Sequence, residues 1–590
     1  MQEYRNRRTL RSFRQLALIV SLFSASALFP QQAPSPQSPA PPKAPTVRAT
    51  THLVLVDVVV DDKQGKHVAN LTAADFTLRD RGKQQTITIF SNDHAGGESL
   101  AEKTPPSPPP PLPPDVFTNR PEFRQPEGPP SILLIDGLNT AIGDQLSSHD
   151  AMLRYLRTQL KEGQKIAILA LSESLGLVQD FTADPHLLIT ALDKINSSTS
   201  SELSGSSIQK LTIAEAAALP PAMLRIIDRN NQSRAAESTD NRVRITLAAL
   251  RSIARGVSGF PGRKNLIWVS SVFPFNLQPS SGEYLDAQRS YGPEILRTAA
   301  LLASARVAVY TVDARGLIVG DVYQQTLNPT TDPLVQTVQN LNNPQTVSEE
   351  LANSHDATVE SHQTMEDLAK ETGGLALYNN NDVMHAVALS SADGGRYYTL
   401  GYYPEDARWD GKFHSIDVKI NREGLKARHR SGYYAVDAAQ SSASETPQQR
   451  DHRAYEELRS ALADPLPATQ VTFRVHIPAT ERAAHPQVQI QFLVDASAVS
   501  FDPIENDLHH CSLDFMVVAA LPDGKVVASD AHTVEARLKP DQFAQVNQNG
   551  LPFSMQLPLT PGAYSLRVAV RDNRTGLIGT LTVPFAVQTP

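Results

Sequence analysis

The segment SILLIDGLNTAIGD, residues 131–144, gives the strongest indication of the fold class. It begins with an uninterrupted apolar run, residues 132–135, and continues directly into Asp136 and a polar loop that carries Asn139 and Thr140. A short run that is apolar on both faces is typical of a strand in a parallel sheet covered by helices on each side. Ligands of open α/β sheets bind beyond the carboxyl ends of the strands. The segment therefore predicts a central strand together with a candidate binding loop.

Outward from this segment, strand-like and helix-like stretches alternate over residues 131–437. Further apolar runs that are too short for helices lie at residues 166–171, 265–269 and 307–312, and amphipathic stretches of helix length lie at residues 151–161, 185–195, 243–254, 293–303 and 359–372. Alternation of this kind is typical of βαβ units. It predicts an α/β domain over residues 131–437 with a central, doubly wound and mostly parallel sheet.

Two polar insertions interrupt the α/β pattern, at residues 196–241 and 318–356, and both are rich in Ser, Thr, Asn and Gln. Loops of such length are either functional or disordered, and composition leaves both interpretations open. After residue 374 the pattern becomes antiparallel, with strand candidates at residues 396–403, 413–420 and 427–436. We expect this β-hairpin set to extend or flank the main sheet.

Smaller β modules flank the α/β domain on both sides. Residues 47–95 contain three strand-like runs and predict a small β-sandwich that depends on its neighbour for stability. Residues 468–590 contain about seven short strand-like runs, which predict an immunoglobulin-like or fibronectin-like β-sandwich. Since 19 of the 43 prolines lie in two short tracts, we assign residues 30–46 and 96–130 as Pro-rich linkers. Residues 438–467 are assigned as a linker with a short helix.

The N-terminus predicts export. Residues 1–29 combine five arginines, an apolar run and the cleavage-type tripeptide Ala25-Ser26-Ala27, as in a secretory signal peptide. The 14-residue apolar run is shorter than the ~20 residues that span a bilayer, so an uncleaved anchor is the weaker alternative, and no transmembrane span remains after cleavage. We expect the mature protein in the periplasm, at the cell surface or secreted.

Charge and cysteine content exclude several function classes. Removing residues 1–27 changes the formal net charge from −8 to −12, because five arginines and one glutamate are lost. Nucleic acids and anionic membranes require a concentrated basic surface, so neither is expected as a partner. The single cysteine, Cys511, excludes an intrachain disulfide and any multi-thiolate metal site. The sequence contains no Walker A, GxSxG, HExxH or GxGxxG motif, so it carries little sign of an enzyme.

Several motifs at consistent spacing point to one family. The stretches ILLIDGLNT, GFPGRKNLIWVSSVFPF, VAVYTVDARGL, LAKETGGLALYNNNDV, YYTLGYYPEDARWDGKFHSIDVKI and RHRSGYY resemble the von Willebrand factor A-related family of secreted proteins best known from acidobacteria. The similarity covers about residues 47–435, roughly two thirds of the chain. It implies a von Willebrand A fold, a doubly wound sheet that often carries a metal-ion-dependent adhesion site.

In that adhesion site a DxSxS loop, a Thr from a second loop and an Asp after the fourth strand hold Mg²⁺ or Mn²⁺. By resemblance, Asp136 matches the Asp of the loop, Leu138 stands where the first Ser belongs and Thr140 replaces the second Ser. Ser270 and Ser271 occupy the region of the Asp that follows the fourth strand. The resemblance therefore implies a degenerate site with weak or absent binding of Mg²⁺ or Mn²⁺.

Other residues complete the candidate site. The Thr of the second loop would come from the first insertion, where the candidates are Ser198, Thr199, Ser200 and Thr212. Asn139 and Asp313, the latter after the fifth strand, are accessory candidates that would act through water. Residue types alone leave two interpretations of Asp136, namely an oxygen ligand for a hard cation or a cap for the following helix.

These observations favour an exported, non-enzymatic interaction, adhesion or scaffold protein. Its partner would be another envelope or extracellular protein, bound at the rim formed by residues 136–144, 196–241 and 270–275. An envelope hydrolase that uses the Asp136 and Asp313 carboxylates is one alternative. A purely structural envelope component without a ligand site is another.

Overall fold

The computed structural model describes residues 53–94, 110–123, 130–160, 164–195, 219–273, 291–315, 344–379, 383–405, 410–436, 446–478 and 487–588. The predicted signal peptide and first Pro-rich linker lie outside these ranges, as do residues 196–218 and 318–343 of the two predicted insertions. Among the helices in the described ranges, none combines the length and the apolar character that a bilayer crossing requires.

Strands and helices follow one another along the chain in four blocks. The first block holds β1 (Val54–Asp61), β2 (Phe76–Asp80), β3 (Lys83–Gln85), β4 (Ile89–His94) and β5 (Val116–Thr118). The second holds β6 (Ser131–Asp136), α1 (Ile142–Thr158), β7 (Ile166–Leu171), β8 (Leu175–Thr182), α2 (Pro185–Asp193), α3 (Pro221–Val257), β9 (Lys264–Ser270), α4 (Gly292–Ser304), β10 (Val307–Asp313), α5 (Pro344–Thr372), β11 (Leu375–Leu377) and α6 (Val383–Asp393). The third holds β12 (Arg396–Tyr402), β13 (Asp410–Ile420), β14 (Lys426–Arg428) and β15 (Gly432–Val436). The fourth holds α7 (Pro447–Ala463), β16 (Phe473–His476), β17 (Gln487–Val494), β18 (Asp502–Ile504), β19 (Leu508–Ala520), β20 (Val526–Leu538), α8 (Pro540–Asn549), β21 (Leu551–Pro558), β22 (Gly562–Asp572) and β23 (Ile578–Val587).

The second block forms a six-stranded sheet in the order β11-β10-β9-β6-β7-β8. Its strands pair in parallel except β8, which runs antiparallel to β7. Numbered along the chain, this is the order 3-2-1-4-5-6 of doubly wound α/β sheets. The predicted α/β class and the mostly parallel central sheet are confirmed. The predicted runs coincide with β6, β7, β9 and β10, whereas β8 has no fully buried residue and gave no apolar run.

Helices cover both faces of this sheet because successive strand residues point to opposite sides. Ile132 and Leu134 of β6 pack in one core cluster with α3, α4 and α5. Leu133 of the same strand packs in a second cluster with α1, α2 and α6. Strand β9 is buried along its whole length, as a central strand between two helical layers requires.

Two helices replace parts of the predicted polar insertions. Residues 221–241 belong to α3, and residues 344–356 belong to α5. Both helices begin at a proline, which suits the first helical position because its missing N–H would be unpaired there anyway. In α3 the first fully buried side chain among those described is Val243, and most of the preceding turns consist of polar residues, which gave this stretch the composition of a loop.

The predicted β-hairpin set does not join the main sheet. Strands β12 to β15 pair instead with β1 to β4, in two four-stranded sheets of order β14-β1-β12-β4 and β15-β13-β2-β3. Side chains of both sheets share one core, in which Val56 and Val58 of β1 meet Tyr398 and Tyr402 of β12. The N-terminal strands are thus completed by strands that lie more than 300 residues later in the chain.

The fourth block also builds two sheets around one core. One has the order β21-β17-β16-β5, and the other joins β18, β19, β22 and β23, with β20 paired to β19. Phe492 and Phe515 face each other across the shared core at a centroid distance of 5.2 Å. Residues 116–118, which the sequence assigns to a Pro-rich linker, form strand β5 here, because Val-Phe-Thr is a β-prone triplet between the prolines.

Candidate functional site

The candidate site lies where β6 and β9 end, at the carboxyl edge of the six-stranded sheet. Asp136 is the last residue of β6, and the chain turns sharply after it because the N–H groups of Gly137 and Leu138 both donate to the Leu171 carbonyl of β7, at 2.8 and 3.0 Å. Helix α1 then begins with Ala141 as its N-cap residue. Asp136 therefore does not cap α1, and the helix-cap interpretation is wrong.

The Asp136 carboxylate is surrounded by N–H donors. Its Oδ1 accepts from the Asn139 backbone N–H at 2.9 Å, and its Oδ2 accepts from Asn139 Nδ2 at 2.9 Å and from Trp268 Nε1 at 3.0 Å. Only 1% of Asp136 is exposed. This burial raises the pKa of the Asp136 carboxyl, while the donors from Asn139 and Trp268 and the neighbouring Ser270 hydroxyl oppose the rise.

Asn139 links the loop to helix α3. Its Nδ2 also donates to Thr246 Oγ1 at 3.1 Å, and the Thr246 hydroxyl in turn donates to the Arg242 carbonyl. The Oδ1 atom of Asn139 is buried and has no hydrogen-bond partner among the described residues. The loop is thus fixed on one side by β7 and on the other by α3, and the Asn139 side-chain oxygen is the acceptor without a partner among the described residues.

Thr140, Ser270 and Ser271 also lie together, and all three are buried. The Ser271 backbone N–H donates to Thr140 Oγ1 at 3.2 Å, and the Ser271 hydroxyl donates to Asp144 Oδ2 at 2.7 Å. The Ser270 hydroxyl donates to the Val272 carbonyl at 3.0 Å. The structure therefore brings the predicted residues of β6 and β9 into one network, and each hydroxyl in it has a protein partner.

Asp313 belongs to a separate group at the end of β10. Its carboxylate binds the Arg315 guanidinium, with Nη2 to Oδ2 at 2.7 Å, and lies 3.1 Å from His362 Nε2 of α5. The His362 ring stacks on Tyr378 at a centroid distance of 4.1 Å. Sequence reasoning missed His362, because 49 residues separate it from Asp313 and no local motif marks it.

The residues present do not fit a divalent cation. A hard cation such as Mg²⁺ requires several oxygen ligands, including carboxylates with available lone pairs. Here N–H groups, whose hydrogens carry partial positive charge, point at both oxygens of Asp136. The unpaired Asn139 Oδ1 supplies a single neutral oxygen. Within the described ranges no group of three His, Cys, Asp or Glu residues is placed to hold a metal ion.

The Asp136 and Asp313 carboxylates lie apart, and each has its own protein partners. Strand β9 lies between β6 and β10, so Asp136 and Asp313 are about 10 Å apart at a strand spacing of about 4.8 Å. Asp136 accepts from N–H donors, and Asp313 is neutralised by Arg315. The predicted candidates in the first insertion, Ser198, Thr199, Ser200 and Thr212, lie outside the described residues.

Comparisons with known proteins give distant structural neighbours only. No family model matches the chain, and no curated protein matches it. The solved structures that match include a mutated aerotolerance-related membrane protein from Bacteroides fragilis and BatB from Bacteroides thetaiotaomicron, each 12% identical and covering 45% of this chain and 98% of the other, with TM-scores of 0.23 and 0.22. A von Willebrand factor type A protein from Catenulispora acidiphila is 8% identical, covers 79% of this chain and 67% of the other, and has a TM-score of 0.22. At such scores the α/β assignment rests on this chain's own strand order.

Proposed function

We propose that this chain is an exported, non-enzymatic protein that binds another envelope or extracellular protein at the carboxyl edge of its six-stranded sheet. In this proposal the sheet belongs to a von Willebrand A-type domain whose adhesion site is degenerate, with Asn139 and Trp268 N–H groups in place of the cation. The paired sheets at either end of the chain act as β-sandwich spacers. Export is supported by the signal-peptide pattern of residues 1–29.

One observation carries the proposal, namely exposed apolar side chains on the carboxyl side of the sheet, beyond a closed polar floor. Ile142 and Leu146, in the first turns of α1, are 46% and 56% exposed. Met223 and Ile226, near the start of α3, are 51% and 57% exposed. Exposed apolar side chains that lie near one another on a surface mark protein interaction sites.

The chain direction places both pairs on the carboxyl side of the sheet, with Ile142 and Leu146 at the edge and Met223 and Ile226 farther out. Helix α1 begins at the carboxyl edge because it follows β6, and α3 ends at the amino edge because it leads into β9. Residues 221–242 of α3 include no fully buried side chain among those described. At 1.5 Å per residue this stretch spans roughly 30 Å, so the start of α3 extends outward beyond the carboxyl edge as a helical arm.

The test is affinity capture with matched surface variants of the full chain. Leu146→Asp and Ile226→Asp place a charge on the proposed contact surface, and we expect each to reduce recovery of one specific partner by tenfold or more. Leu187→Asp is the control, because Leu187 is 49% exposed but lies at the start of α2, at the amino edge. Recovery that is unchanged in the first two variants, or equally reduced in the control, would contradict the proposal.

The two alternative functions, a purely structural component and a hydrolase, predict different results with the same purified full chain and variants. A purely structural component yields no specific partner with the unmodified chain. A hydrolase yields turnover of peptide or glycan substrates that Asp136→Asn or Asp313→Asn abolishes. Both carboxylates are occupied by protein donors, which disfavours the hydrolase.

A further inference from the structure

A polar cleft of about 340 Å³ lies near the amino edge of the main sheet, whereas the candidate site lies at the carboxyl edge. Its walls come from Gly259, between α3 and β9, from Arg120 and Glu122 after β5, and from the fourth block of the chain. Because α3 ends and β9 begins at the amino edge of the main sheet, the cleft lies between the α/β part and the C-terminal sheets. Its volume is within the usual range of small-molecule sites.

The walls of the cleft are held firmly. The Gly259 N–H donates to Thr469 Oγ1 at 2.9 Å, and a Cβ on Gly259 would lie 2.6 Å from the Thr469 carbonyl oxygen, so only glycine permits this approach. The Asp495 carboxylate accepts hydrogen bonds from Nε and Nη2 of the Arg120 guanidinium and from the Thr472 hydroxyl. A ligand would therefore meet a preformed surface and would lose little free energy to ordering it.

Arg474 is the second arginine of the cleft, whose lining is neutral overall because Glu122 and Asp495 match the two guanidinium charges. The Arg120 charge is already paired with Asp495. Arg474 of β16 has no ion pair among the described residues, and its Nε is buried without a hydrogen-bond partner. Guanidinium groups are always charged and match the planar geometry of a carboxylate. Arg474 is thus suited to hold an anionic group of a ligand.

The rest of the lining is built for hydroxyl groups. Asn547, Gln548 and Asn549 form the last turn of α8, and Ser497 lies in the short turn after β17. Side-chain amides both donate and accept hydrogen bonds, and the last carbonyls of a helix lack partners within it. No aromatic side chain and few apolar ones line the cleft. Such a surface recognises a ligand with many hydroxyls and disfavours an apolar one.

We propose that this cleft binds an acidic saccharide unit, with the carboxylate of a uronic acid on Arg474 and the sugar hydroxyls on the amides at the end of α8. The site is independent of the protein-binding edge, and a bound sugar would contact both the C-terminal sheets and the turn at Gly259.

The test uses the full chain and three probes, namely glucuronate, glucose and acetate, with binding followed by calorimetry and ligand-observed NMR. We expect glucuronate to bind at least tenfold more tightly than either glucose or acetate, since only glucuronate combines both recognised groups. Arg474→Met should weaken glucuronate binding at least tenfold, because methionine retains the packing of the apolar stem without the charge. Asn549→Ala, at an exposed helix end, should weaken it severalfold.

The control is Arg537→Met, which removes an exposed arginine of β20 that does not line the cleft and should leave binding unchanged. Thermal unfolding shows whether each variant is folded, and Asn549→Ala provides the answer if Arg474→Met is not. The proposal is overturned if about 10 mM glucuronate gives no signal. It is equally overturned if acetate binds as tightly as glucuronate, or if Arg537→Met is as damaging as Arg474→Met.

Discussion

Replacing Trp268 with phenylalanine tests whether the Asp136 carboxylate is held by N–H groups instead of a cation. The indole Nε1 donates to Asp136 Oδ2 at 3.0 Å in a fully buried setting. A hydrogen bond to a charged group contributes about 1.5–3 kcal/mol, and the lost ring volume costs on the order of 1 kcal/mol more. We therefore expect Trp268→Phe to lower the free energy of unfolding of the α/β part by about 3 kcal/mol, a Tm shift of roughly 5–10 °C.

The effect should also depend on pH in a defined direction. The folded-state pKa of Asp136 is raised above its unfolded value, so the stability linked to this group is present below the unfolded pKa and is lost as pH rises through the folded pKa. Loss of the Trp268 donor raises the folded pKa further, and the variant continues to lose stability at higher pH. The difference between the two proteins should thus be constant at low pH and should grow only once the pH exceeds the folded-state pKa of the unmodified Asp136 carboxyl, which lies above the unfolded value of about 4.

The matched control is Phe273→Leu. Phe273 is buried and its ring lies edge-on to Trp268 at a centroid distance of 4.6 Å, but it has no hydrogen bond to the carboxylate. Calorimetric unfolding of both variants at several pH values separates lost packing from the lost donor. A Phe273→Leu cost equal to that of Trp268→Phe, or a Trp268→Phe cost that is constant with pH, would refute the reasoning.

Three further predictions concern the metal ion, an ion pair between modules and a buried lysine. Addition of about 5 mM Mg²⁺ or Mn²⁺ should leave Tm unchanged and give no calorimetric heat, and a Tm rise that Asp136→Ala abolishes would show that the site holds a cation after all. Arg306→Ala breaks the largely buried ion pair with Asp57 of β1 and should lower the free energy of unfolding by about 3–5 kcal/mol in a denaturant titration. The control Arg422→Ala removes a half-exposed guanidinium and should lower it far less. Equal losses in the two variants would contradict this prediction. Burial lowers the pKa of Lys264 to about 7. Between that pH and about 10 the unfolded chain therefore binds one more proton than the folded chain at this lysine, so the free energy of unfolding rises with pH. Lys264→Met should flatten this rise in urea unfolding, and an unchanged rise would mean that another group causes it.

The central sheet was predictable because its information is local. Each of β6, β7, β9 and β10 is a short apolar run, and burial on both faces follows from that composition. The pairing of β1 with β12 was not predictable, because Val56 and Leu400 are opposite each other across a separation of hundreds of residues. Neither strand has a sequence feature that identifies its partner strand, and an alternation of apolar and polar residues is compatible with any half-buried sheet.

The candidate site also has a part that could be predicted from local sequence and a part that could not. The sequence places Asp136 at a strand end, and the structure confirms that position. Whether the carboxylate meets a cation or N–H groups depends on Trp268, which is 132 residues away. One signal was available, since a buried tryptophan N–H needs an acceptor and Trp268 stands in an otherwise apolar strand. That signal indicates a need for an acceptor but does not identify Asp136.

Leu138 lies in the loop that follows Asp136 and packs in the main core. It stands where the resemblance expects a serine, and its side chain is buried in the same core cluster as Trp268. A serine there would need a partner for its hydroxyl, such as a bound cation, because an unpaired buried polar group is costly. A leucine has no such need and packs against the core, which keeps the loop close to β9. Asp136 then lies within reach of the Trp268 indole. A leucine at 138 and a tryptophan at 268 are therefore mutually consistent, and building a cation site at Asp136 would require changing both together with the N–H donors of Asn139.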